Sequence, residues 1–208
     1  MSYLVTHPGD VALRLAQHVE LTLSALAIAL LIATPLGVLA ARNGRVKQFV
    51  LAVFGTIYTL PSLAVLALLV PVLGLGFGTA LVALVAYAQM MLVRSIAVAF
   101  EGVPQPLRDA ALGLGMTPLQ AFWRVELPQA FPIVLGGIRI ATVSLIAIAN
   151  LAAWIGAGGL GVLLFAGIER QDNQKIVLGA VLSALLALGV NFALEALERS
   201  ARRRAGLA

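Results

Sequence analysis

With 208 residues, 61% of them hydrophobic and 11% charged, the chain holds more apolar surface than one soluble core of this length can bury, because surface falls too slowly with size. The excess needs an apolar solvent, so the sequence reads as an integral membrane protein of one domain, 1–208, without a linker, low-complexity tract or internal repeat. The net charge of +5 comes from bases scattered between apolar segments, which records membrane topology rather than a nucleic-acid partner, and the absence of cysteine removes disulfides and thiolate metal sites.

Residues 1–18 lack the basic leader and short apolar run of a cleaved signal peptide and read as an external lead-in, with His7 and His18 as solvated residues rather than ligands. Stretches of the roughly 20 apolar residues that a bilayer-crossing helix needs then follow at 19–41, 49–73, 77–100, 133–155 and 176–197. Their apolarity is continuous, without strand-like alternation, which excludes a β-barrel. Pro35 and Pro61 fall inside the first two, where proline kinks a helix and frees carbonyls that a neighbour or water must satisfy.

Arg42, Arg45 and Lys47 follow the first span, Arg108 and Arg124 lie in the loop 101–132, and Arg199, Arg202, Arg203 and Arg204 close the chain. The opposite side holds Arg14, Arg170 and Lys175. The positive-inside bias makes the first set cytoplasmic, so the N-terminus is expected outside and the C-terminus in the cytoplasm. The predicted fold is an all-α membrane protein with five transmembrane helices. Arg94 and Arg139, near the cytoplasmic surface, are expected to snorkel or to pair with a carboxylate such as Glu101 or Glu126. Glu195–Arg199 and Glu198–Arg202 read as solvated pairs one helical turn apart.

The loop 101–132 has structure of its own. Leu107, Ala110, Ala111 and Leu114 fall at helical spacing, with Asp109 expected in the first turn, where it suits the helix dipole. Gly113 and Gly115 allow a sharp reversal. Thr117-Pro118-Leu119-Gln120 then supplies an N-cap, a first-turn proline and a capping-box glutamine for a second helix carrying Phe122, Trp123 and Val125, which Pro128 is expected to stop. On composition this is either a loop lying on the bilayer with Trp123 as an interfacial anchor, or an aromatic docking surface for a cytosolic partner.

Asp109-Ala110-Ala111, then Gly115, then Val125-Glu126-Leu127-Pro128 resembles the cytoplasmic loop signature of importer permeases of the ATP-binding-cassette class. That signature runs Glu-Ala-Ala, three residues, Gly, nine residues, then Ile, any residue, Leu-Pro; the departures here are Asp for Glu and Val for Ile. IYTLPSLAVLALLVP (57–71), MTPLQAFWRVELP (116–128) and LAAWIGAGGLGVLLFAGI (151–168) are similar to its osmoprotectant branch, which takes up glycine betaine, carnitine and choline. The resemblance implies the five-span fold of a type I importer permease in a prokaryotic inner membrane. It also implies two permease copies, identical or homologous, a cytosolic ATPase dimer and an external solute-binding protein. Asp109, Ala110, Ala111, Gly115, Met116, Thr117, Pro118, Phe122, Trp123, Leu127 and Pro128 would then form the ATPase-coupling loop, with Gly115–Trp123 at its heart. No GxxxxGK[ST] occurs, so ATP and Mg are expected on the partner ATPase, with no cofactor or metal on this chain and no enzymatic role.

Gly156, Gly158, Gly159 and Gly161 satisfy GxGxxG but follow a membrane helix on the outer side, without the βαβ setting of a dinucleotide site. They read as an outer turn that lets a short helix fold back, either beside an outer gate or merely packed there. Polar residues inside the spans are few, among them Ser62, Gln89, Ser144, Asn150 and Asn191, and helix-to-helix hydrogen bonding is their common use. Tyr58, Ser62, Tyr87, Gln89, Asn150 and Trp154 are the candidate path residues, since aromatic faces attract quaternary ammonium groups; Trp154 serves equally as a belt residue. The rival readings are a sibling amino-acid permease of the methionine type, and a self-sufficient channel or secondary transporter.

Overall fold

A computed structural model describes residues 2–206; residues 1, 207 and 208 of the single domain lie outside the described residues. The described chain is helical, with no strand: α1 (Ser2–Thr6), α2 (Pro8–Arg42), α3 (Gly44–Thr59), α4 (Ser62–Leu73), α5 (Phe77–Glu101), α6 (Gln105–Gly113), α7 (Pro118–Ala121), α8 (Leu127–Ala152), α9 (Gly161–Glu169) and α10 (Asn173–Arg204). A π-helical turn, Phe122–Glu126, joins α7 to α8, and a 3-10 turn, Ala153–Ile155, ends α8.

Four helical runs, Pro8–Arg42, Phe77–Glu101, Pro118–Ile155 and Asn173–Arg204, are long and apolar enough to cross a membrane. The helices α3 and α4 make a fifth span only together, bent by 97°. This is the all-α, five-span class expected from hydropathy, with two local differences. The helix α2 starts at Pro8 and runs through the segment read as a lead-in, because Pro8 at its start and Asp10 in its first turn both suit a helix N-terminus. Pro61 breaks its span outright: it lacks an N–H, and Leu60 before it is extended at φ −69°, ψ 142°.

The helix α5 is the hub, with half of its most apolar window buried within the chain against 17% for α10. Without a hydrophobic drive between helices in lipid, close backbone approach supplies the packing. On α2, Ala25, Ala29, Ala33 and Gly37 recur every fourth residue and are buried. A Cβ on Gly37 would lie 2.6 Å from Ile96 Cβ of α5, and one on Gly137 of α8 would lie 2.3 Å from Ser95 Cβ. The α2, α5 and α8 backbones meet where side chains are missing.

Ion pairs lock the basic end. Arg139 does not use Glu101 or Glu126; its Nε lies 3.3 Å from Glu198 Oε2, and it donates to Asn191 Oδ1 at 3.2 Å. Glu198 also holds Arg202 at 3.0 Å and is 8% exposed against Gly136, so it is not the solvated residue expected from its i,i+4 spacing. The glycine leaves room for the carboxylate between α8 and α10. Glu101 is taken by Lys47 at 2.8 Å, and Arg94 is exposed, with no carboxylate partner among the described residues.

Candidate functional site

The loop between α5 and α8 is built in three steps. The helix α6 starts at Gln105, whose Nε2 donates to Asp109 Oδ1 at 2.9 Å. Asp109 therefore sits in the second turn rather than the first; it and Ala110 are exposed, while Ala111 is buried. The end of α6 is closed by Leu114 N–H to Ala110 O at 3.0 Å and Met116 N–H to Ala111 O at 3.2 Å. The chain then reverses through Gly115 at φ +81° with open space around it, a conformation that costs a residue with a Cβ about 1–2 kcal/mol.

Next, Thr117 Oγ1 accepts from Gln120 N–H at 3.3 Å, and Gln120 Oε1 accepts from Thr117 N–H at 2.9 Å. These two bonds close a capping box on α7, with Pro118 in its first turn. Pro128 does not stop this helix. The ladder widens by one residue over Phe122–Glu126, with Leu127 N–H bonded to Phe122 O, and continues into α8 with Pro128 in its first turn. A π-turn absorbs the donor that Pro128 lacks and the bulk of its ring. Phe122 is half-buried: its ring stacks on Phe100 at 5.4 Å and 4°. Trp123 stays 59% exposed, beside Leu114 at 80% and Leu119 at 68%. Met116 and Leu127 are half-buried, and Pro128 is exposed.

Glu126 is the anchor that sequence reasoning missed, because it fills the unspecified position of the signature. It is 4% exposed, pairs with Arg42 at the end of α2, and lies 3.8 Å from Arg108 Nε. Arg108 in turn donates to the Phe100 carbonyl at the end of α5. One buried carboxylate thus gathers α2, α5, α6 and the π-turn.

The candidate path residues do not form one cluster. Gln89 is buried and donates to Ala29 O at 3.2 Å, while Asn150 accepts from Ser183 Oγ at 2.9 Å. Both serve helix contacts. Trp154 is exposed, 6.4 Å from Phe165. Tyr58, Ser62 and Tyr87 gather at the α3–α4 break, where Tyr87 Oη donates to Leu60 O at 2.5 Å and its ring meets Tyr58 edge-on at 6.1 Å.

At the other end, Gly156, Gly158 and Gly159 take positive φ of 77°, 79° and 83°, and Gly161 opens α9. The turn is clasped by α2. His18 is fully buried: its Nε2 lies 3.1 Å from Ile146 O, and its Nδ1 accepts from Leu160 N–H at 3.3 Å. A carbonyl on one nitrogen and an N–H on the other demand the neutral Nε2–H ring. Gln17 Oε1 accepts from Gly159 N–H at 3.2 Å. The solvated His18 expected from the lead-in is therefore corrected, because residues of α8 and the glycine turn cover it; His7 is exposed as expected.

Residues 33–203 match the family described as the binding-protein-dependent transport system inner membrane component. The chain belongs to this family. This permease is 36% identical over 199 residues to the choline transport system permease protein OpuBB of Bacillus subtilis (strain 168), covering 96% of this chain and 92% of that one. It is 40% identical over 182 residues to the carnitine transport permease protein OpuCB of Listeria monocytogenes, covering 88% and 84%. Its fold superposes with a TM-score of 0.81 on a chain of the MetNI methionine ABC transporter in an inward-facing conformation, at 22% identity and covering 92% and 96%. The protein is thus a multi-pass inner-membrane permease component of a binding-protein-dependent ABC importer.

Proposed function

We propose that this permease carries osmoprotectants such as glycine betaine, carnitine or choline. A second permease copy, identical or homologous, would complete the path, an external binding protein would deliver the solute, and a cytosolic ATPase dimer that binds ATP and Mg would drive it. Residues 108–128 face the cytoplasm in this reading, and the N-terminus lies outside.

One observation carries the coupling assignment: the loop tip is apolar and exposed while its base is rigid. Leu114, Leu119 and Trp123 present an exposed apolar surface on a capped, stacked and ion-paired frame. An exposed apolar patch on so firm a mount suits a partner's cleft. Because Pro118–Ile155 is one helical run, force on the tip enters a membrane span directly. ATPase closure then pushes residues 115–123, the spans rock, and access to the path alternates.

Replacing Gly115 with valine tests this, since φ +81° resists a branched side chain. Uptake by the assembled importer should be abolished while membrane insertion persists; unchanged uptake removes the loop from the mechanism. The solute class is tested by titrating the partner binding protein with choline, betaine and methionine. Retention of methionine alone would transfer the permease to the amino-acid branch.

A further inference from the structure

The break between α3 and α4 lies deep in the membrane. Lys47 pairs with Glu101, which sets the start of α3 beside the end of α5. Tyr87, on α5 (Phe77–Glu101), is then about 15 Å along the helix from one end and about 21 Å from the other, near the middle of the hydrocarbon layer. Its hydroxyl holds the Leu60 carbonyl, which places the break at that depth. Among the described residues, no N–H bonds the carbonyls of Tyr58 or Thr59, because Pro61 has none to give and α4 begins only at Ser62. Tyr58, Thr59, Leu60 and Pro61 are all exposed.

Lipid tails cannot satisfy free carbonyls, so non-helical backbone at this depth must be covered by protein or line water. Among the described residues, Tyr87 meets this stretch at the Leu60 carbonyl and the Tyr58 ring, yet Tyr58, Thr59, Leu60 and Pro61 stay exposed. They therefore face the path or the second copy across it. The α3 C-terminus carries the negative end of a helix dipole, with no basic residue in its last turn, and 48–93 contain no charged residue at all. The Tyr58 ring, 45% exposed, stands on that last turn, braced by the buried edge-on ring of Tyr87.

The geometry points to a transient quaternary-ammonium site at this break, made by the face of Tyr58 and the free carbonyls of Tyr58 and Thr59, with Tyr87 as a positioning residue. It rests on the reading of the solute as a quaternary ammonium compound. A quaternary ammonium has no N–H to donate, so it is held by an aromatic face and carbonyl dipoles, weakly enough to be released. Full negative charge would trap it; this site has none.

The experiment uses the complete importer in proteoliposomes. Tyr58→Leu should lower choline uptake about ten-fold, and Tyr58→Phe, which keeps the ring, should take up choline several-fold faster than Tyr58→Leu. The chain has no cysteine, so Thr59→Cys is its sole thiol. Thr59→Cys should react with a water-soluble, membrane-impermeant thiol reagent and be protected by tetramethylammonium, whereas Leu68→Cys on α4 should not react. Wild-type choline uptake with an equally active Tyr58→Leu, or a Thr59→Cys as inert as Leu68→Cys, overturns the site alone. A wild-type importer that moves no quaternary ammonium, and whose binding protein delivers another solute, overturns the functional reading and the site with it.

Discussion

Two buried polar side chains organise the ends of this permease. Glu126 gathers two guanidinium groups at the basic end, and removing a buried charge's partner leaves the rest uncompensated. Arg42→Ala should lower stability by about 3 kcal/mol, read as a drop in the thermal unfolding midpoint in detergent, because it leaves the buried Glu126 carboxylate with only Arg108 at 3.8 Å; Glu126→Ala should cost less, because the half-exposed Arg42 is then solvated. His18 performs the matching task at the other end, where it joins the glycine turn to α2 and α8. His18→Ala leaves the Leu160 N–H without its acceptor, while Ile146 O keeps the bond from Asn150 Nδ2 at 3.3 Å. Hydrogen exchange at the Leu160 amide should then speed up roughly tenfold or more, while exchange in the middle of α5 stays unchanged. Neither residue stood out in the sequence: the Ile146 carbonyl is 128 positions from His18, and Arg42 is 84 from Glu126.

Among the helices, Pro61 and Pro128 act oppositely. Pro61 breaks its span because the preceding residue turns extended, whereas Pro128 is absorbed into a continuous run because the ladder loosens to a π-turn before it. Sequence rules treat both as helix stops; which outcome follows depends on whether neighbours hold the flanking turns together. Here Phe100 stacks on Phe122 and Glu126 is pinned, so the run holds. Packing between α5 and α8 turns on Gly137. Gly137→Val forces a Cβ against Ser95 and should destabilise the permease by about 2 kcal/mol. Ser95→Gly should restore much of that loss in the double variant, which thermal unfolding of all four proteins would check.

For the molecule in its membrane, the unequal burial of its spans is the informative quantity. The helix α5 is enclosed by its own chain, while α10 keeps most of its surface for lipid or another subunit. The proposed orientation makes a direct prediction. Leu119→Cys, exposed at the loop tip in a chain without other thiols, should react with an impermeant reagent in inside-out vesicles and not in right-side-out cells. Added ATPase subunit should protect it. Labelling from the outside would reverse the topology and remove the coupling role together.

Hydropathy settled the helical class and the number of spans, because backbone in lipid has almost no other way to satisfy itself. The loop signature was legible too, since caps, a positive-φ glycine and a short helix are local features written within a few residues. Folding in space alone revealed that Glu126 is a hub, that His18 is interior, that Phe122 turns inward while Trp123 stays out, and that Tyr58 and Tyr87 meet at a broken span. Those facts depend on distant backbones converging, and no spacing along one stretch of chain encodes which helix will arrive beside it.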